Sequence, residues 1–77
     1  MIEFKKVGKI LEGHDAGQFI KVEYDPTDTG GYYIYQSTVI DFSSSDTFDS
    51  WVETRDDLDS FFQESKWVVD WTVGQNP

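Results

Sequence analysis

Cysteine is absent from this 77-residue chain, and that absence sets the terms on which it folds. A chain of this length buries only about 60–65% of its unfolded surface, so its stability margin is thin. Chains in this range are held by disulfides, by a metal or by unusually large core side chains. Disulfides and thiolate metal sites are excluded here, which leaves the large side chains. Six Phe, four Tyr and three Trp supply them. Each aromatic buries roughly 150–250 Å², so a few replace many aliphatics. The aromatic richness is therefore read first as core building. The lack of cysteine also suits a reducing, cytoplasmic setting.

Hydropathic period orders the chain. Residues 2–11 form a first strand candidate, with Ile2, Phe4, Gly8 and Ile10 in one phase and Val7 and Leu11 in the other. A bulge or bend near residues 6–8 reconciles the two phases. Residues 12–17 carry two glycines and an Asp and read as a turn. In residues 18–24, Ile20, Val22 and Tyr24 alternate with Lys21 and Glu23, which predicts a second strand. The turn-forming string 25–31 closes a hairpin onto a third strand, Tyr32–Ser37, apolar on both faces and therefore central. That strand has an apolar continuation at Val39, Ile40 and Phe42.

One helix is predicted. Thr54-Arg55-Asp56-Asp57 has the form of a capping box, and its acids suit the positive end of the helix dipole. Leu58, Phe61 and Phe62 fall at i, i+3 and i+4 on one stripe. Trp51 and Val52 precede the helix and are placed to pack against it as a staple. A last strand over residues 66–73 follows from the alternation of Trp67, Val69, Trp71 and Val73, the Trp side packing on the helix stripe. The tail 74–77 has the composition of a frayed end. The expected fold is α+β: a single domain over residues 1–77, with an antiparallel sheet of about four strands and one helix on one face, in the order β-β-β-α-β. One helix cannot cover both faces of such a sheet. Phe19, Tyr33, Tyr35 and Val68 fall on the uncovered face, and homodimerisation through them is one expectation.

Motifs for catalysis fail in turn. His14-Asp15 looks like half of a dyad, but adjacent turn residues point apart and no Ser or Cys nucleophile is tied to them. Asp28-Thr29-Gly30 matches the short signature of aspartic proteases, yet it sits in an apparent hairpin turn rather than between apolar strand residues. Asp25 and Asp28 lack the spacing of a calcium loop and are explained by turn chemistry. No phosphate loop or dinucleotide fingerprint is present. The expectation is a non-enzyme with no cofactor and no metal.

Charge carries the functional expectation. Fifteen acids face six bases, for a net charge of −9. Residues 1–22 are nearly balanced, whereas beyond them only Arg55 and Lys66 oppose twelve acids. Such a field repels nucleic acid and anionic membranes and attracts basic proteins. No apolar run approaches the ~20 residues of a membrane span, and residues 1–6 lack the pattern of a signal peptide. The acids are densest over residues 41–59, around Phe48 and Trp51. Carboxylates steer an encounter and pair with Lys or Arg, while an aromatic supplies the desolvated anchor. Asp46, Asp49, Trp51, Glu53, Asp56 and Asp57 are the partner-binding candidates, against the alternative of a solvated loop with Trp51 turned into the core.

Phe48-Asp49-Ser50-Trp51-Val52, followed by Leu58, Phe61-Phe62 and Trp67-Val68-Val69-Asp70-Trp71, resembles the small acidic immunity proteins of bacterial toxin systems. The resemblance covers residues 48–71 and is one of residue types. It implies an inhibitor or immunity-type protein that binds and blocks a basic toxin partner.

Overall fold

A computed structural model describes residues 2–43 and 45–73; the tail 74–77, expected to fray, lies outside them. The elements are β1 (Val7–Glu12), β2 (Phe19–Tyr24), β3 (Tyr32–Ser37), β4 (Phe48–Val52), α1 (Arg55–Ser65) and β5 (Val68–Asp70). The five strands form one sheet in the order β4-β3-β2-β1-β5, with every neighbouring pair antiparallel. The α+β class, the antiparallel sheet and the single helix are as expected from the sequence. The strand added to the expected order is β4, a stretch in which Asp49 and Ser50 interrupt the apolar pattern.

Strands β1 to β4 form a meander, and α1 then returns the chain to the far edge beside β1. The two edges are separated by four interstrand intervals, roughly 19 Å at the usual spacing. An eleven-residue helix spans about 16 Å. The helix runs under the sheet from the end of β4 to the β1–β2 turn, where the His14 N–H donates to the Ser65 carbonyl, and the chain after it completes the crossing. Its start is set by Thr54, whose Oγ1 accepts the Asp57 N–H at 3.0 Å. This is the first half of the predicted capping box. At its end Lys66 adopts a left-handed φ of 58°; its N–H donates to the Gln63 carbonyl, and the Trp67 N–H donates to that of Phe62. These two bonds close the last turn and turn the chain into β5.

The centre of the core is aliphatic: Ile10, Ile20, Val22, Ile34 and Leu58 are fully buried. Phe4, Tyr32, Phe61, Phe62, Trp67 and Trp71 are partly buried around it. The aromatics thus enclose the core rather than fill it. As the alternation predicted, Trp67 and Trp71 pack on the helix stripe, with ring centroids 5.0 Å apart for Phe62–Trp67 and 6.3 Å for Phe62–Trp71. β5 itself is shorter than the predicted 66–73. The Asp70 carboxylate takes the Thr72 N–H at 2.9 Å and its hydroxyl at 2.6 Å, which closes a turn over residues 71–73. Residues 39–42 likewise leave the sheet: the Ser37 Oγ accepts the Val39 N–H and the Thr47 hydroxyl, pinching off a loop before β4. The bend in the first segment lies at Phe4-Lys5, where Lys5 has φ 61° and donates its N–H to the Val22 carbonyl.

Candidate functional site

Strand alternation places Phe19, Tyr33 and Tyr35 on the face away from the helix. Strand register then gives this open face its order. Trp51 lies opposite Tyr33, which lies opposite Glu23. In the next row Asp49 lies opposite Tyr35, Tyr35 opposite Lys21 and Lys21 opposite Val7. In the third row Ser37 lies opposite Phe19, Phe19 opposite Lys9 and Lys9 opposite Asp70. Rings and charges therefore mix across the face, with Asp49 on β4, Lys21 and Glu23 on β2, Lys9 on β1 and Asp70 on β5. The Lys21 ammonium lies 3.4 Å from Glu23 and within 6.0 Å of the Tyr35 and Phe42 ring centroids. The Lys9 ammonium lies 6.0 Å from the Phe19 ring.

Trp51 is not turned into the core. It is 44% exposed, and its indole N–H donates to the Thr29 Oγ1 at 3.0 Å. The same Oγ1 accepts the Gly31 N–H at 3.1 Å and donates to the Asp25 carboxylate at 3.2 Å. Asp25 also accepts from the Thr27 hydroxyl and the Asp28 N–H, both at 3.4 Å. Asp25, considered above for calcium, is thus the hub of the β2–β3 turn. Gly31 leaves the space in which the indole lies: a Cβ there would stand 2.5 Å from three indole atoms. The ring is exposed yet held by a turn.

The other partner-binding candidates do not share one face. Asp49 and Trp51 are on the open side, Asp46 lies in the turn before β4, Glu53 in the bend after it, and Asp56 and Asp57 in the first turn of α1 on the opposite side of the sheet. All are exposed at or around the β4 edge. Val52 packs on the core, while Trp51 takes the other face, so the predicted staple is made by Val52 alone. Asp41 is held below the usual carboxylate range by hydrogen bonds from the Ser43 hydroxyl and N–H. Among the described residues no three His, Asp or Glu side chains are gathered to hold a metal ion, and no helix is long and apolar enough to cross a membrane.

Tyr35 is the open-face residue that sequence reasoning did not weigh for its electrostatics. Burial, then the charges of Glu23 and Asp49, raise its phenol above the ordinary value. A raised folded value means that the neutral ring's contribution to stability is complete below the ordinary phenol pKa and lost as pH rises through the folded one. Glu23→Gln with Asp49→Asn should bring the Tyr35 titration, followed by ring NMR signals, back toward the ordinary value. A titration that does not move would remove the two carboxylates as a cause.

Compared with known protein families, characterised proteins and solved structures, the chain matches none.

Proposed function

We propose that the protein is an acidic binding module of the inhibitor or immunity type, which engages a basic protein partner at the β4 edge in the cytoplasm. The observation that carries this is Trp51, half exposed and held by Thr29 in the space left by Gly31, with Tyr33 opposite and Asp49 on the same strand face. A fixed aromatic loses little freedom on binding. Carboxylates at the rim steer a basic partner and set the salt dependence. The net charge of −9 disfavours nucleic acid as the partner. Blocking a basic toxin would follow if the partner's active surface is the one held.

Affinity capture from the source cells tests this. The wild type should retain a basic polypeptide that is released as salt rises. The variant with Asp46, Asp49, Asp56 and Asp57 changed to Asn should bind it about tenfold or more weakly, given several rim pairs of up to ~1 kcal/mol each. Unchanged binding by that variant would show the site to be wrong.

The rings of Phe19, Tyr33 and Tyr35 on the open face favour a second reading, assembly through that face. A copy related by a two-fold axis would set the Asp49 side of one sheet over the Lys9 and Lys21 side of the other, with Phe19, Tyr33 and Tyr35 between. A monomer in sedimentation at high protein concentration would remove it.

A further inference from the structure

The helix side of the sheet carries a separate feature. A hollow of about 350 Å³ lies between the C-terminal half of α1 and the ends of β3 and β4. This is large enough for a small ligand group. Its lining includes the aromatic residues Phe48, Phe61 and Trp67, the exposed acids Asp15 and Glu64, and the exposed His14. Gln36, only 3% exposed, also lines it.

The polar groups are set by the fold. The Gln36 Nε2 donates to the Asp15 Oδ2 at 3.2 Å and to the Gln18 Oε1 at 3.4 Å, which fixes the Asp15 side chain at the wall. Among the described residues the other Asp15 oxygen receives no hydrogen bond, and Glu64 has neither an ion-pair partner nor a hydrogen-bond donor. The Trp67 indole N–H is spent on the His14 carbonyl at 2.6 Å, so that ring offers the hollow no free donor. Phe48, opposite Gln36 in the register, is 46% exposed at the rim. No described Lys or Arg lines the hollow. On the other side of Trp67 a second hollow, about 510 Å³, holds both Arg55 and Lys66, the two bases beyond residue 22. The helix thus separates a hollow that holds Arg55, Lys66 and Asp59 from one that holds two acids, His14 and three aromatic residues but no Lys or Arg.

Two acids and three aromatic residues, with His14 beside them and no Lys or Arg, match a delocalised organic cation. The carboxylates accept its N–H groups and the rings take its charged plane. Among the described residues no three His, Asp or Glu side chains are gathered there to hold a metal ion. We propose that this hollow is a binding site for a guanidinium or alkylammonium group, carried either by a small free cation or by an Arg or Lys side chain. The site is independent of the open-face anchor.

An NMR titration of the intact protein tests it, with N-ethylguanidinium and n-butylammonium as probes and uncharged N-ethylurea as the control at matched ionic strength. The Gln36 side-chain amide and the Trp67 indole N–H should shift saturably with the cations and not with the urea. Glu64→Gln and Asp15→Asn should each weaken binding about five- to tenfold; Asn tolerates the left-handed φ of 62° at residue 15. Phe48→Ala, at an exposed position, should weaken it similarly with the sheet amides unmoved. An arginine tripeptide binding tenfold tighter than N-ethylguanidinium would identify a chain-borne group, and equal affinity a free cation. Absence of saturable shifts with either cation or the tripeptide, equal shifts with N-ethylurea, or full affinity in the Asp15→Asn/Glu64→Gln double variant would overturn the proposal. Trp51→Ala should leave this binding intact, so a failed open-face anchor and a failed cation site are read separately.

Discussion

Gly13→Ala should cost about 3–5 kcal/mol of folding stability, a large share of the 5–15 kcal/mol typical of a domain. Gly13 has a φ of 101°, a conformation that side chains rarely adopt. A Cβ there would also overlap the Lys66 and Ser65 carbonyls, which are backbone atoms at the end of α1 and cannot give way singly. The seat matters because the neighbouring bonds depend on it. The His14 N–H donates to the Ser65 carbonyl at 3.0 Å, and the Trp67 indole donates to the His14 carbonyl. Loss of this seat would detach the helix end, Trp67 and the start of β5 together. Gly17→Ala is the matched control. Its φ is 99°, but nothing lies within 4 Å of the added atom, so it measures the backbone cost alone. Urea unfolding of the two variants should separate them by about 2 kcal/mol or more. If they unfold alike, the helix end is not seated on the β1–β2 turn.

Much of this seat was readable from residue types, and its partner was not. The two glycines of residues 12–17 announce a turn, but which of them meets another element is a tertiary fact. Elsewhere the periods sufficed. The alternation of Ile20 and Val22, the Thr54–Asp57 cap and the Leu58, Phe61 and Phe62 stripe all appear where they were expected. β4 was obscured because an edge strand pairs on one side only and need not bury a clean apolar row. Phe48 and Trp51 are both exposed although they lie on opposite faces. The Asp70-x-Thr72 spacing could have signalled the early end of β5, since an Asp side chain readily caps the backbone two residues on.

The acidic run was legible as a density and illegible as a surface. In a loop, Asp46, Asp49, Glu53 and Asp56 would form one continuous patch. In a strand, parity decides, so Asp49 and Trp51 take the open face while the chain passes on to the helix below. The consequence bears on the proposed function: the acids proposed to steer a partner surround the β4 edge, whereas the proposed anchor belongs to one face, so mutation can separate the two.

Gly31→Ala makes that separation with one methyl group. The added Cβ would stand 2.5 Å from the Cε2, Cζ2 and Nε1 of Trp51, and these indole atoms are its nearest contacts. The indole is half exposed and free to swing outward, so the ring should leave its seat on Thr29 while the sheet stays formed. Stability should fall by no more than about 1 kcal/mol, the scale of the lost hydrogen bond. The Trp51 indole N–H resonance should move to the position of a solvated indole, with those of Trp67 and Trp71 unchanged. Partner affinity should fall about 10- to 100-fold, approaching that of Trp51→Ala, because a buried aromatic anchor is commonly worth 2 kcal/mol or more. The loss should lie in the dissociation rate, whereas the four Asp→Asn changes should act mainly on association and its salt dependence. Should Trp51→Ala weaken binding while Gly31→Ala does not, the indole contributes area but not a fixed position. Should neither variant affect binding, Trp51 is not the anchor, and the partner is held by charge alone.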